Sequence, residues 1–137
     1  MPSPSNNISF IIDGVLFEYD DEKNRINIQK HGLSFETAAR VFFDYDRLEL
    51  YDESHSTEEE RYNTIGDLNA GGMVIGSPNG VDAEIVFVVY TERQRTMLNG
   101  KETDVNRIIS ARLANSFERL TIKSQAQNED TYELEKL

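Results

Sequence analysis

The chain has 137 residues and carries 14 Lys+Arg against 25 Asp+Glu, a formal net charge of 14 − 25 = −11. This length favours one domain with a core of its own, and the absence of cysteine excludes a disulfide framework, a thiolate metal site and a cysteine nucleophile. No run of about 18 apolar residues is present to span a bilayer. The opening MPSPSNN lacks the basic and apolar regions of a secretory signal, so a cytoplasmic location is expected.

The charge is unevenly placed. Residues 1–60 hold 5 basic and 14 acidic side chains, net −9, whereas residues 91–123 hold 7 basic and 4 acidic, net +3. The overall balance argues against a non-specific grip on nucleic acid, which rests on Lys and Arg at phosphates. It allows a local cationic site on an acidic body, and it suits a basic protein partner.

In chain order, Ile8–Ile12 and Val15–Tyr19 flank Asp13-Gly14, a hairpin signal because a type I′ turn needs positive φ twice. Asp20 or Asp21 is expected to cap a short polar helix through Lys30, with Ile26, alone or with Ile28, facing inward. His31-Gly32 reads as its stop. Ser34 then caps a second helix to about Phe43, whose apolar side is Phe35, Ala38, Ala39 and Phe42. Strands are expected at Leu48–Tyr51 and Arg61–Gly66, separated by the acidic loop 52–60. In that loop His55 reads as a solvated residue, with a proton donor as the alternative if the loop folds over the cleft. A short extra strand at Met73–Ile75 is an alternative within a turn-rich stretch. Ile85–Tyr90 reads as a central strand buried on both faces, and 92–105 as a polar loop. Val105–Ala111 reads as a strand and Ala111–Lys123 as a helix, with Leu113, Phe117 and Leu120 at helical spacing. Segregated strands and helices give an α+β class: an antiparallel sheet, formed by the hairpin and a three- or four-strand meander, with two N-terminal helices and one C-terminal helix. The domain plan is an N-terminal extension (1–16) with a strand, a main domain (17–123) and an acidic polar tail (124–137).

No P-loop, dinucleotide fingerprint, H-E-x-x-H or G-x-S-x-G pattern occurs. Two histidines without cysteine do not suggest a protein-built metal site, and no cofactor is expected. The pieces FEYDDEKNRINIQKHGLSFETAARVFFD (17–44), ERYNTIG (60–66), VVYTER (88–93) and RIISARLANSFER (107–119) stand in an order that resembles the BrnT family, toxins of bacterial type II toxin–antitoxin pairs. The resemblance implies a RelE-like fold and a metal-independent endoribonuclease that inhibits translation. It also implies a BrnA-like antitoxin that neutralises the toxin and itself binds DNA, so that DNA is reached only through the partner. The chain differs from the family pattern in extensions at 69–83 and 94–105 and in a less basic terminal helix. A second reading is therefore a catalytically weakened or inactive module of the same fold that acts only through protein binding. A homodimer stays open, since no oligomer seam is visible.

Metal-free RNA cleavage uses the 2′-OH as nucleophile. It needs a group to take its proton, cations to stabilise charge on phosphorus, and an acid for the leaving oxygen. Arg suits the second task because its planar fork pairs bidentately with phosphate, and His suits the others because it titrates near neutrality. Arg61 opens a strand, Arg93 closes another and Arg112 begins the last expected helix, so these three are expected to converge on one phosphate, with His31 as acid or base. Lys30 and Arg107 are the further phosphate ligands expected, and Tyr62 and Tyr90 are candidates to stack on a base.

Overall fold

The structure, a computed structural model, describes residues 6–69 and 84–122. The elements are β1 (Asn7–Ile12), β2 (Val15–Asp20), α1 (Asp21–His31), α2 (Phe35–Ala38) with a 3-10 turn (Ala39–Phe43), β3 (Leu48–Tyr51), a 3-10 turn (Glu53–His55), β4 (Tyr62–Asp67), β5 (Ile85–Thr96) and β6 (Glu102–Leu113). Residues 116–122 are helical. The expected extra strand at Met73–Ile75 and the tail 124–137 lie outside the described residues.

The hairpin turns where Asp13 (φ 47°) and Gly14 (φ 80°) both adopt positive φ. β1 then pairs with β2 along its whole length, from Asn7 opposite Asp20 to Ile12 opposite Val15. Six strands form one sheet in the order β1-β2-β6-β5-β4-β3. The α+β class holds, but the sheet is mixed rather than antiparallel: β2 runs parallel to β6, with Phe17 beside Asn106 and Glu18 beside Arg107. The reason is the crossover through the helices. The chain leaves β2, lays down α1 and α2 on one side, starts again at the far edge with β3, and meanders back until β6 reaches β2.

The helices cover one face. Phe17, Phe35, Ala38, Ala39, Val41, Val86, Val88, Ile108 and Ala111 form the fully buried centre of this core. Ser34 caps α2 by accepting from the Thr37 N–H at 3.1 Å, and the stripe of Phe35, Ala38, Ala39 and Phe42 packs inward as expected. The expected single helix tightens after Ala38 into the 3-10 turn, which presses on the sheet at Gly66. A Cβ there would stand 2.9 Å from Val41 Cγ2, so only glycine permits the approach.

Attachment of α1 is a correction. Ile26 and Ile28 do not face inward; they are 43% and 42% exposed. The buried residue is Asn27, whose Nδ2 donates to Leu33 O and Ala111 O, both at 2.8 Å, and whose Oδ1 accepts from Ala111 N at 3.1 Å. The helix therefore lies on the sheet by hydrogen bonding, not by an apolar stripe. Asp20 holds the N-cap position without a side-chain cap bond, whereas Gly32 (φ 66°) closes the other end as expected.

The C-terminal half differs more. Within Ile85–Tyr90, β5 is fully buried on one face, at Val86, Val88 and Tyr90, while Ile85, Phe87 and Val89 on the other are half-buried. The expected loop 92–105 is mostly strand: β5 continues to Thr96, and β6 starts at Glu102 after a tight turn at Gly100 (φ 82°). β6 also runs past Ala111 to Leu113, because Ala111, Arg112 and Leu113 pair with Val88, Phe87 and Val86. Arg112 therefore lies on a strand and does not begin a helix. Leu113, Phe117 and Leu120 are exposed rather than packed inward. Among the described residues, no helix is long and apolar enough to cross a membrane.

Asn27→Ala leaves two carbonyls and the Ala111 N–H without partners, each buried orphan costing about 1–3 kcal/mol. The expected loss is about 3 kcal/mol of unfolding free energy, read from the midpoint of a urea melt.

Candidate anion-binding face of the sheet

Side chains on directly paired strand residues share a face. The register therefore sorts the arginines. The row Asn63–Val89–Ser110 and the row Ile65–Phe87–Arg112 lie on the face opposite the helices. Alternation along β5 places Thr91, Arg93 and Arg95 on this face too, and Thr91 pairs with Arg107. Between Val89 and Tyr90 the register shifts by one residue, leaving Ile109 unpaired in β6. This bulge brings both Ile109 and Ser110 to the open side, where they line a common cleft.

The loop 52–60 is folded onto this face by its own polar residues. Asp52 N donates to Arg61 O at 2.9 Å, Arg61 N donates to Ser56 Oγ at 3.0 Å, and Thr91 Oγ1 donates to Glu60 O at 2.7 Å. Such short-range side-chain to backbone bonds are what Asp, Ser and Thr offer in place of a regular ladder. The closed loop makes a cleft of about 330 Å³ lined by His55, Thr57, Glu58, Glu59, Arg61 and Arg93. Within it the Arg93 fork meets Glu59, Nη2 to Oε2 at 3.0 Å and Nε to Oε2 at 3.2 Å. The Arg61 guanidinium has no ion pair among the described residues. His55 Nδ1 lies 2.9 Å from Asp52 Oδ2. A carboxylate there selects the Nδ1–H tautomer and leaves Nε2 to take or give a proton. Desolvation works against the Asp52 charge, but hydrogen bonds from Ser54 and His55 outweigh it and hold that carboxyl below its ordinary range.

A second cleft of about 460 Å³ adjoins the first, sharing His55 and Arg61 and adding Asp52, Ser54, Asn63, Phe87, Val89, Ile109 and Ser110. The Arg112 guanidinium stands 4.2 Å over the Phe87 ring. It is also gripped by Glu118, at 2.7 and 2.9 Å, whose carboxyl the Arg112 hydrogen bond holds below its ordinary value. Asn63 Oδ1 is buried with no hydrogen-bond partner among the described residues. Leaving an acceptor so costs about 1–3 kcal/mol.

The sequence-derived candidates thus separate. Arg61 and Arg93 share a cleft, and Arg112 stands beside its neighbour across Phe87. Arg107 is on the same face but is tied to Glu18 and Asn7. Tyr90 is 4% exposed and donates its hydroxyl to Glu49 on the helix-covered face, so it has no ring face to offer a base. Burial, above all, pushes its hydroxyl pKa up. Tyr62 pairs with Tyr90 on that same face and bonds Glu60 at 3.1 Å. Lys30 and His31 end α1, exposed, and line neither cleft. Sequence reasoning passed over Asn63, and for His55 it preferred a solvated loop residue to a proton donor on a loop folded over the cleft. The available signal for Asn63 was a strand-averse residue inside the otherwise β-favouring RYNTIG.

Glu18 organises the far end of the face. It is 1% exposed, accepts from Arg95 Nε at 2.7 Å and Nη2 at 2.9 Å, and accepts from Arg107 as well. The Arg95 hydrogen bond first, then Arg107, holds its carboxyl below the ordinary value despite desolvation.

The uncovered face of this α+β domain gathers guanidinium groups and a carboxylate-oriented histidine. The chain matches the family described as "Ribonuclease toxin, BrnT, of type II toxin-antitoxin system" over residues 19–118, and it belongs to that family. Membership makes it a toxin of the ribonuclease type, with RNA as target and a protein antitoxin as partner. No curated protein matches the chain.

Because Glu18 is more acidic folded than unfolded, its stabilising contribution is complete above the ordinary glutamate value of 4.5 and is lost as pH falls through the lower folded value. Unfolding free energy of the wild type should decline as pH drops below that value. Glu18→Gln, less stable by about 2–3 kcal/mol at neutral pH, should show a flatter decline in urea melts over the same range.

Proposed function

We propose that the chain is a metal-independent endoribonuclease that cleaves RNA through the 2′-OH, acts on cytoplasmic RNA to inhibit translation, and is neutralised by a BrnA-like antitoxin. The observation that carries this reading is the shared cleft of Arg61, just before β4, Arg93 of β5 and His55 of the loop, on one sheet face. Arg61, unpaired, and Arg93, released from Glu59, clasp the non-bridging oxygens of the scissile phosphate. The 2′-oxygen attacks phosphorus, the bond to the 5′-oxygen breaks, and the products are a 2′,3′-cyclic phosphate and a 5′-hydroxyl. His55 Nε2 takes the proton from the 2′-OH and then gives it to the leaving 5′-oxygen. Arg112 meets a flanking phosphate once freed from Glu118. His31 and Lys30, at the end of α1, serve RNA approach rather than the chemical step. All the groups named in the cleft belong to one copy of the chain.

The second reading, a module that acts only by protein binding, draws on the other guanidiniums of this face. Arg93, Arg95, Arg107 and Arg112 are already paired with carboxylates. Expression of the chain alone in bacteria separates the two. The wild type is expected to arrest growth and degrade RNA. Arg61→Ala is expected to relieve the arrest and slow cleavage by about 10²-fold, with an unchanged melting temperature. A soluble wild type that leaves growth and RNA intact favours the binding module.

The partner is expected to be drawn by the acidic N-terminal portion, net −9 over residues 1–60. Its dissociation constant should rise with added salt, as screening over about 10 Å at 0.1 M requires. Titration calorimetry at two ionic strengths checks this; salt-insensitive binding indicates an apolar interface instead.

A further inference from the structure

We infer that the second cleft is a nucleobase subsite, seating the base of the nucleotide whose 3′-phosphate lies on Arg61 and Arg93; this rests on the ribonuclease reading and extends it from the phosphate to the base. The two clefts differ in kind. The first is lined by charged and polar side chains throughout. The second has about 460 Å³ and adds Phe87, Val89 and Ile109, within the size range of small-ligand sites. A cationic hollow that opens into an apolar one matches a molecule with an anionic end and a flat, weakly charged end. A nucleotide is such a molecule. Arg61 and His55 line both clefts and so mark their junction. In RNA the 2′-OH lies between the base and the 3′-phosphate of the same ribose. With the phosphate in the first cleft and the base in the second, the ribose falls at the junction, where His55 meets the 2′-OH.

The apolar floor comes from the open face of the sheet and from one irregularity in it. Phe87 and Val89 alternate onto that face along β5, and the register shift between Val89 and Tyr90 leaves Ile109 unpaired and turned to the same side. All three are half-buried. Their outer surfaces meet water, and covering apolar surface is favourable. Unstacked RNA bases are held on surfaces of this kind, an aromatic ring among them. The floor reads no hydrogen-bonding edge. Ser110, also in the lining, has a hydroxyl that donates or accepts as it turns. A purine and a pyrimidine therefore both suit the cleft.

The test is calorimetric binding of inorganic phosphate, ribose 3-phosphate, adenosine 3′-monophosphate and uridine 3′-monophosphate to the purified chain, with methyl NMR in parallel. Both nucleotides are expected to bind about 10-fold tighter than ribose 3-phosphate, the order of gain that one covered base provides, and to shift the Val89 and Ile109 methyl signals. Inorganic phosphate should leave those signals in place. Ile109→Asn, checked for folding by thermal melt, should lose most of the gain and keep its affinity for inorganic phosphate. Ribose 3-phosphate binding as tightly as the nucleotides overturns the assignment and leaves the apolar floor to a protein partner. A gain that survives in Ile109→Asn overturns it too. So do nucleotide-induced shifts that spare both methyl groups, a result that needs no variant. Cleavage is assayed separately on the wild type. Base-dependent binding without cleavage keeps the subsite and overturns the ribonuclease reading, whereas cleavage with no gain from the base removes the subsite alone.

Discussion

One carboxylate joins the two halves of this sheet. Glu18 stands where β2 meets β6 in parallel, and both Arg95 and Arg107 close on it. A carboxylate this deep is tolerated only because two cations and their N–H groups replace its lost water. The pairing has wide consequences. It attaches the N-terminal hairpin to the long C-terminal strands, and it commits Arg95 and Arg107 to the fold. Arg61 and Arg93 lie further along the face, at the loop 52–60.

That loop and the bulge in β6 make the site out of ordinary sheet. Without the loop, Arg61 and Arg93 would be two solvated residues near strand ends. Folded back through Ser56 and Thr91, the loop encloses them with His55. Without the extra Ile109, β6 would carry its alternation unbroken, and the floor of the second cleft would lose one of its apolar members. The acidic residues of the loop also have an electrostatic role. Glu59 occupies the Arg93 fork in the manner of a phosphate, so on the proposed reading an RNA must outcompete a tethered carboxylate.

Much of the fold was legible because its signals are local. Asp13-Gly14, the Gly32 stop, the Ser34 cap and the Phe35 stripe each depend on a few neighbouring residues, and each behaves as read. The failures are all cases in which a distant partner decides. α1 shows no inward apolar stripe, because Asn27 attaches it through bonds to Ala111, 84 positions away. Leu113, Phe117 and Leu120 have helical spacing, yet pairing with β5 keeps Leu113 in a strand. The parallel seam follows from a pairing that no sequence window contains. At the candidate site, Arg61 was legible as the start of a strand, whereas Arg93, expected to close one, lies within β5, which runs on to Thr96. His55 was read first as solvated, because its loop had no visible reason to fold inward. Asn63 was not legible, because an unmatched amide is recognised only once its surroundings are known.

The seam also sets an order of assembly. Glu18 and Arg107 are 89 positions apart in the chain, and domains form as their parts emerge from synthesis. The hairpin is complete early, but its acid meets Arg95 only when β5 has been made and Arg107 only when β6 follows. Until then the arginine face has no scaffold, and the meander lacks its inner neighbour. The parallel seam is thus the last part of the sheet to close, when β6 takes its place beside β2.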